Sequence, residues 1–185
     1  RDTREWKASK AKLSDREWRL DNLYWIRSKD GVPIPFKRNL AQRTYSARRW
    51  YRDTILKSRR LGFSTLIDID MLDRCLFASN TEAGIIDRPL DAATDKLGIA
   101  KFAYDRLPQT IKDAVPLVTD NQKELVWANG SSIMAGTSYR GGAPRLLHVS
   151  EFGPISSKNP DVAKEIKNGS IPAVPTWGRR TVAPA

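Results

Sequence analysis

Apolar and polar positions switch between helical and strand periods along the chain, and the switches mark its elements. Ser14-Asp15-Arg16-Glu17 has the spacing in which a serine caps a helix and a glutamate three residues on reaches back. From that cap Trp18, Leu20 or Asp21, and Trp25 recur at mixed spacing, which predicts a partly apolar helix up to Ile26, ended by Gly31, Pro33 and Pro35. Docking of this helix on the domain through its tryptophans is the simpler reading, and a nucleic-acid clamp is the other. Residues 39–51 read as a basic second helix, and residues 53–58 as a short buried strand. A loop over 59–63 leads to a helix over 64–78, with Leu66, Ile69 or Met71, Leu72 and Leu76 on one side. A second strand is predicted over 83–87. Pro89 suits the first turn of a helix running to about Leu107, which Pro108 ends.

Between Leu117 and Thr137 the period shortens. Leu125 and Trp127, then Asn129-Gly130, then Ser132, Ile133 and Met134 predict two strands joined by the dipeptide best suited to a type I′ turn. Residues 145–150 form another apolar strand, ending at Glu151. A short helix over 161–167 and a last strand near 170–174 complete the reading. Strands separated by helices imply an α/β domain with a mainly parallel central sheet and an inserted β-hairpin.

A chain of 185 residues suffices for one domain with a real core and is tight for two. We divide it into a basic, Trp-rich helical arm over 1–30 and a domain over 31–185. Lys and Arg outnumber Asp and Glu by 32 to 21, a net charge of +11, so a polyanion, nucleic acid or a nucleotide phosphate, is the first partner to consider. A single cysteine, Cys75, allows no internal disulfide and suits a reducing compartment. Apolar runs are short and interrupted by charge, so a soluble protein without membrane contact is expected. The chain opens on Arg1 and closes without a recognisable helix stop, and reads as a piece of something longer.

A loop that cradles phosphate needs small residues to let backbone N–H groups converge, a cation for the β and γ charges, and a hydroxyl for Mg²⁺. Lys57, Ser58, Arg59, Arg60, Leu61, Gly62, Phe63, Ser64 and Thr65, between a predicted strand and a helix, offer all three. Gly62 and Ser64 match the end of G-x-x-x-x-G-K-[ST], but Lys57 stands at the first glycine and Phe63 at the lysine. From the loop's first residue, the long stem of Lys57 can still swing over phosphates. Glu151, at the tip of an apolar strand, stands where such an ATPase places the carboxylate that polarises the attacking water. Arg140 lies in a Gly-containing turn, placed to reach a γ-phosphate on its own or a neighbouring subunit. Phe36 and Gln42 offer an aromatic face and an amide to an adenine. Each has a plainer alternative: a basic turn, a solvated strand end, an exposed cation.

In this order and spacing, the pieces resemble the ATPase domain of bacteriophage large terminase subunits, the motors that pump double-stranded DNA into procapsids. The resemblance covers roughly residues 35–178. A lysine moved to the start of the Walker A loop, with an aromatic before the serine, is similar to a variant loop of that family. The resemblance implies a three-layer P-loop NTPase fold of the ASCE type, with ATP and Mg²⁺ as cofactors. Lys57 then contacts phosphate, Ser64 and Glu151 form the Mg²⁺ side, and Thr65 or Arg59 and Arg60 assist. Phe36 and Gln42 match the adenine-sensing Q motif, Glu151 the catalytic carboxylate of Walker B, and Arg140 the arginine finger. Implied partners are double-stranded DNA, a small terminase subunit, the portal protein, and further copies in a pentameric ring on the procapsid. The setting is the host bacterial cytoplasm and, transiently, the portal.

Two departures stand out. Ser150 replaces the Asp that normally precedes the Walker B glutamate, and the family's Ser/Thr-rich coupling motif and nuclease domain are not found before Ala185, so no DNA cleavage is expected. Two other readings compete: a non-hydrolysing nucleic-acid-binding module built on a degenerate P-loop domain, and a helicase-like ATPase, disfavoured because a second lobe cannot fit. His148 has no partner at metal-ligand spacing and reads as an interior histidine, and Cys75 as a small buried side chain. The cluster Arg43, Arg48, Arg49 and Arg52 reads equally as a solvated helix face or a track for DNA phosphate.

Overall fold

The computed structural model describes residues 10–56, 60–139 and 142–175. Helix α1, Arg16–Asn22, is capped by Asp15, whose carboxylate accepts from the Glu17 N–H. Ser14, the expected cap, instead donates its hydroxyl to the Lys10 carbonyl. The helix stops at Asn22 rather than Ile26. Trp25–Arg27 (β1) and Pro33–Pro35 (β2) pair antiparallel as a small separate ribbon, a place that tolerates prolines because an edge needs few N–H donors. Leu20, Leu23 and Tyr24 join this segment to the main core. The tryptophans do not dock it: Trp18 is half-buried and Trp25 exposed.

Helix α2, Leu40–Arg48, starts at Asn39, which shares a reciprocal capping box with Gln42. It ends before Tyr51 because Arg49 turns out of the helical region, at ψ 144°. The strand expected over 53–58 is not formed in its described part, 53–56, and Lys57 and Ser58 lie outside the described residues. Leu56 is 95% exposed. An apolar run becomes a strand only where an open sheet edge takes it up, and no described strand pairs with this one.

The sheet comprises β3 (Glu82–Ile86), β4 (Leu117–Asp120), β5 (Glu124–Trp127), β6 (Ser132–Gly136) and β7 (Leu146–Val149), in the order β4-β5-β6-β3-β7. β3 runs parallel to both β6 and β7, whereas β4–β5 and β5–β6 are antiparallel. The sheet is therefore mixed, not mainly parallel, because the short links among β4, β5 and β6 can join only antiparallel neighbours. The hairpin at Asn129-Gly130 is present, but of the two residues only Gly130 has positive φ, so the turn is not type I′. Asn129 is tied down instead: its amide donates to the Cys75 carbonyl (2.8 Å) and its Oδ1 accepts from the Ser131 N–H (3.0 Å).

Helices α3 (Phe63–Phe77) and α4 (Leu90–Asp105) cover one face, burying Leu66, Ile69, Leu72, Leu97 and Ala100 against Ala83, Ile85, Leu125 and Ile133. Helix α5, Gln109–Ala114, buries no side chain, so no apolar stripe announced it, and Pro108 caps it rather than only ending α4. On the other face Ile86 meets Ile155 of α6 (Phe152–Lys158), Ala163 of α7 (Pro160–Glu165) and Ile166 of a π-helical turn, Ile166–Ser170. The turn buries Ile166 and Ser170, and the strand expected near 170–174 is not formed. The result is a three-layer α/β/α arrangement. Among the described residues no helix is long and apolar enough to cross a membrane.

Buried charge joins α1 to α3. Arg19 forks onto Asp73, with Nε–Oδ1 and a second N–Oδ2 distance of 2.8 Å each, and Tyr24 donates its hydroxyl to the same carboxylate at 2.7 Å. One turn away, Asp70 receives Arg16, Arg49 and Arg74. Burial alone would raise the Asp70 carboxyl, but Arg49, Arg16 and Arg74 hold it below its ordinary value of 3.8. The stability this group contributes is thus present above that value and lost as pH falls through the folded-state value. In urea melts from pH 7 to pH 3, wild-type stability should drop below about pH 4. Asp70→Asn should start less stable and lose less on acidification; an acid loss as steep as wild type would contradict the assignment.

Candidate functional site

The direction of α3 decides what the sheet edge can hold. Its C-terminus lies at the start of β3, reached through the short link 78–81, and the Cys75 carbonyl is held there by Asn129. Further up, Asp68 of α3 meets His148 of β7, Nδ1–Oδ1 2.9 Å, at the level where His148 pairs with Ile85. Helix α3 therefore runs antiparallel to β3 and β7, and its N-terminus faces the edge where both strands end. That edge continues through the Asp87 N–H to the Gly136 carbonyl (3.2 Å) and the Ser150 N–H to the Ile86 carbonyl (2.8 Å).

At that N-terminus Gly62 occupies the cap position in the left-handed region, φ 72°, and among the described residues no side chain caps the first turn. The N–H groups of that turn are thus left for another acceptor, and the positive end of the helix dipole adds to their pull on an anion. The loop's exit is fixed from α2. Gln42 donates its amide to the Gly62 carbonyl (2.7 Å) while its Oε1 accepts from the Asn39 N–H (2.9 Å), and Asn39 donates to the Leu61 carbonyl (3.2 Å). A Cβ on Gly62 would sit 2.9 Å from Gln42 Nε2, so glycine is needed here for space as well as for φ. Phe63 is buried and packs edge-on against Tyr45, ring centroids 5.6 Å apart. Ser64 and Thr65 remain partly exposed and Arg60 is exposed, with φ 69°. Lys57, Ser58 and Arg59 lie outside the described residues.

Across the edge, Glu151 follows β7 with φ 50° and ψ 43°, a left-handed conformation costly for a residue with a Cβ. It is exposed, and its carboxylate makes no hydrogen bond or ion pair among the described residues. Its backbone instead starts α6, the Glu151 carbonyl accepting from the Ile155 N–H. Phe36 and Gln42 are both 3% exposed, Phe36 within the core and Gln42 on the loop. Arg140 lies outside the described residues. Its neighbour Tyr139 packs with Leu147 and Val149 on the face opposite α3.

Sequence reasoning missed the polar layer behind this edge. Asp68 and Asp87 are buried, Asp68 on His148 and Asp87 on Lys96. Burial raises the Asp68 carboxyl against the opposing pull of His148 and Lys96, and its Oδ2 has no hydrogen-bond partner among the described residues. The signal was present: aspartates at 68, 70 and 73 interrupt an otherwise apolar helix, and each needs a partner once buried. Two hollows flank the region. One of about 920 Å³ lies along α4 and includes Thr65; the other, of about 270 Å³, opens beside Phe63. Set against known proteins, the chain matches no family model and no curated protein.

Proposed function

We propose that this chain is an ATP-hydrolysing motor domain of the phage large-terminase type, driving double-stranded DNA into procapsids. The observation that carries the reading is that one sheet edge holds both a helix N-terminus, started at Gly62 and braced by Gln42, that no described side chain caps, and a left-handed Glu151 with no partner among the described residues. An anionic ligand fits the first and a water-orienting base fits the second.

In this reading Lys57 and the first-turn N–H groups of α3 bind the β- and γ-phosphates, with Ser58, Arg59, Arg60 and Thr65 along the same loop. Ser64, with Glu151 opposite, would hold Mg²⁺, which supplies charge compensation on the phosphate oxygens when bound. Ser150 takes the place of a metal-holding carboxylate, so more of that task falls to Ser64. Glu151 orients the water for in-line attack and takes its proton. On the adenine side Gln42 braces the loop, while Phe36 is taken up in the core and offers no open face to a base. Arg140 would act on a neighbouring subunit of a ring, where such an arginine is worth about 10³ to 10⁵ in rate. Double-stranded DNA, a small subunit, the portal and a cytoplasmic site of action belong to the same proposal. The non-hydrolysing nucleic-acid module is the second reading, favoured by the net charge of +11.

ATP turnover, alone and with linear duplex DNA, tests the choice. The motor reading expects hydrolysis whose specific rate rises with protein concentration and falls in Arg140→Ala. Duplex binding with no hydrolysis at any concentration selects the module instead.

A further inference from the structure

Asp70 is surrounded by more positive charge than it can neutralise. Arg16 from α1, Arg49 from the segment after α2, and Arg74 from α3 itself converge on one buried carboxylate. Asp73, one turn on, takes a single arginine. The Arg16–Glu17 pair offsets part of the excess, but Glu17 is itself shared with Arg38. The three side chains are 26–38% exposed, and no other described residue accepts from Arg49 or Arg74. Arg16 Nε is buried without a partner among the described residues, whereas the N–H groups of Arg49 and Arg74 that Asp70 does not take are not fully buried and lie in planar forks, the geometry that suits phosphate oxygens. Burial and the nearby Arg49 and Arg16 charges push Arg74 below its ordinary value despite Asp70, a measure of how crowded the cations are.

Beside this fan two aromatic side chains lie open. Trp50 and Tyr51, next in sequence after Arg49, are 49% and 47% exposed, and their rings meet at 5.9 Å. Arg52 extends over the Tyr51 ring, and Arg48 and Arg49 line the adjoining hollow of about 270 Å³. Phosphate forks flanked by exposed rings make the pairing that recognises unpaired nucleotides, with the backbone on the cations and a base on the ring.

We infer that the Asp70 arginine fan and the Trp50–Tyr51 surface form a binding site for single-stranded nucleic acid. Asp70 holds the guanidiniums in place, Arg49 and Arg74 take phosphodiester oxygens, and Trp50 stacks a base. The inference goes beyond the motor reading and does not depend on ATP hydrolysis: a chain without turnover that binds oligonucleotide here breaks the motor alone.

The probe is a fluorescein-labelled 20-mer of thymidylate, with a 20-base-pair duplex beside it, titrated by anisotropy over a range of salt. Trp50→Ala, at an exposed position that leaves the buried carboxylate untouched, should weaken single-strand binding about tenfold without changing the salt slope. Arg49→Gln and Arg74→Gln should each lower the single-strand slope by about 0.7. Lys123→Gln, an equal charge loss in the β4–β5 link, should leave it unchanged. The inference is overturned if Trp50→Ala binds as wild type, if Lys123→Gln matches the arginine variants, or if the duplex is preferred and only the arginines matter.

Discussion

Glu151→Gln should reduce ATP turnover by about 10² to 10⁴ while leaving Mg·ATP binding intact. The substitution keeps the side chain's length and its place at the tip of β7, and removes only the charge that takes the proton from water. Because Glu151 has no partner among the described residues, no ion pair among them is lost, and the melting temperature should stay near wild type. The strained φ of 50° persists in both proteins, so the comparison isolates the carboxylate. Turnover within a few-fold of wild type would remove Glu151 from the mechanism.

The largest stability effect is expected at a residue far from that edge. Asp73 is fully buried and satisfies both the Arg19 guanidinium and the Tyr24 hydroxyl. Asp73→Ala leaves the Tyr24 hydroxyl and two of the Arg19 N–H donors without their acceptor, only Nη1 keeping the Leu13 carbonyl, and the Arg19 group, stacked 4.0 Å from the Phe77 ring centre, cannot reach water without unpacking α1. Breaking a buried pair from one side costs about 3–5 kcal/mol. For a chain of this size that corresponds to a fall of roughly 6–20 °C in melting temperature. A fall of under about 2 °C would show that α1 is not anchored through this pair.

What the sequence made legible follows from how each element is stabilised. Helices α3 and α4 bury a continuous stripe, and β5 and β6 alternate across a Gly-containing turn, so local pattern located them. Helix α5 buries nothing, and β4 pairs at the sheet's outer margin with a half-exposed pattern, so neither left a signal. The run 53–58 looks like a strand because Ile55 and Leu56 are apolar, but strand formation depends on a neighbour that local sequence does not specify. At the candidate site, Glu151 could be picked out because a strand tip has a local signature, and Gly62 because a glycine just ahead of an apolar helical stripe does, although the strand expected before it is not formed in its described part. The polar layer beneath could not, since Asp68 finds His148 eighty positions away and Asp73 finds Arg19 fifty-four away. Gln42 was singled out for an amide that could meet a base, while in the fold both ends of that amide grip backbone.

The central claim is that the N-terminus of α3 and its loop hold a nucleoside triphosphate. Melting Glu151→Gln with Mg·ATP measures this directly, since the variant binds without consuming its ligand. At about a hundred times the dissociation constant, binding should add ~2.7 kcal/mol and raise the melting temperature by roughly 5–10 °C. Adding Lys57→Ala should abolish the rise. A melting temperature that does not move at millimolar Mg·ATP, or moves equally with Lys57 replaced, would contradict the account.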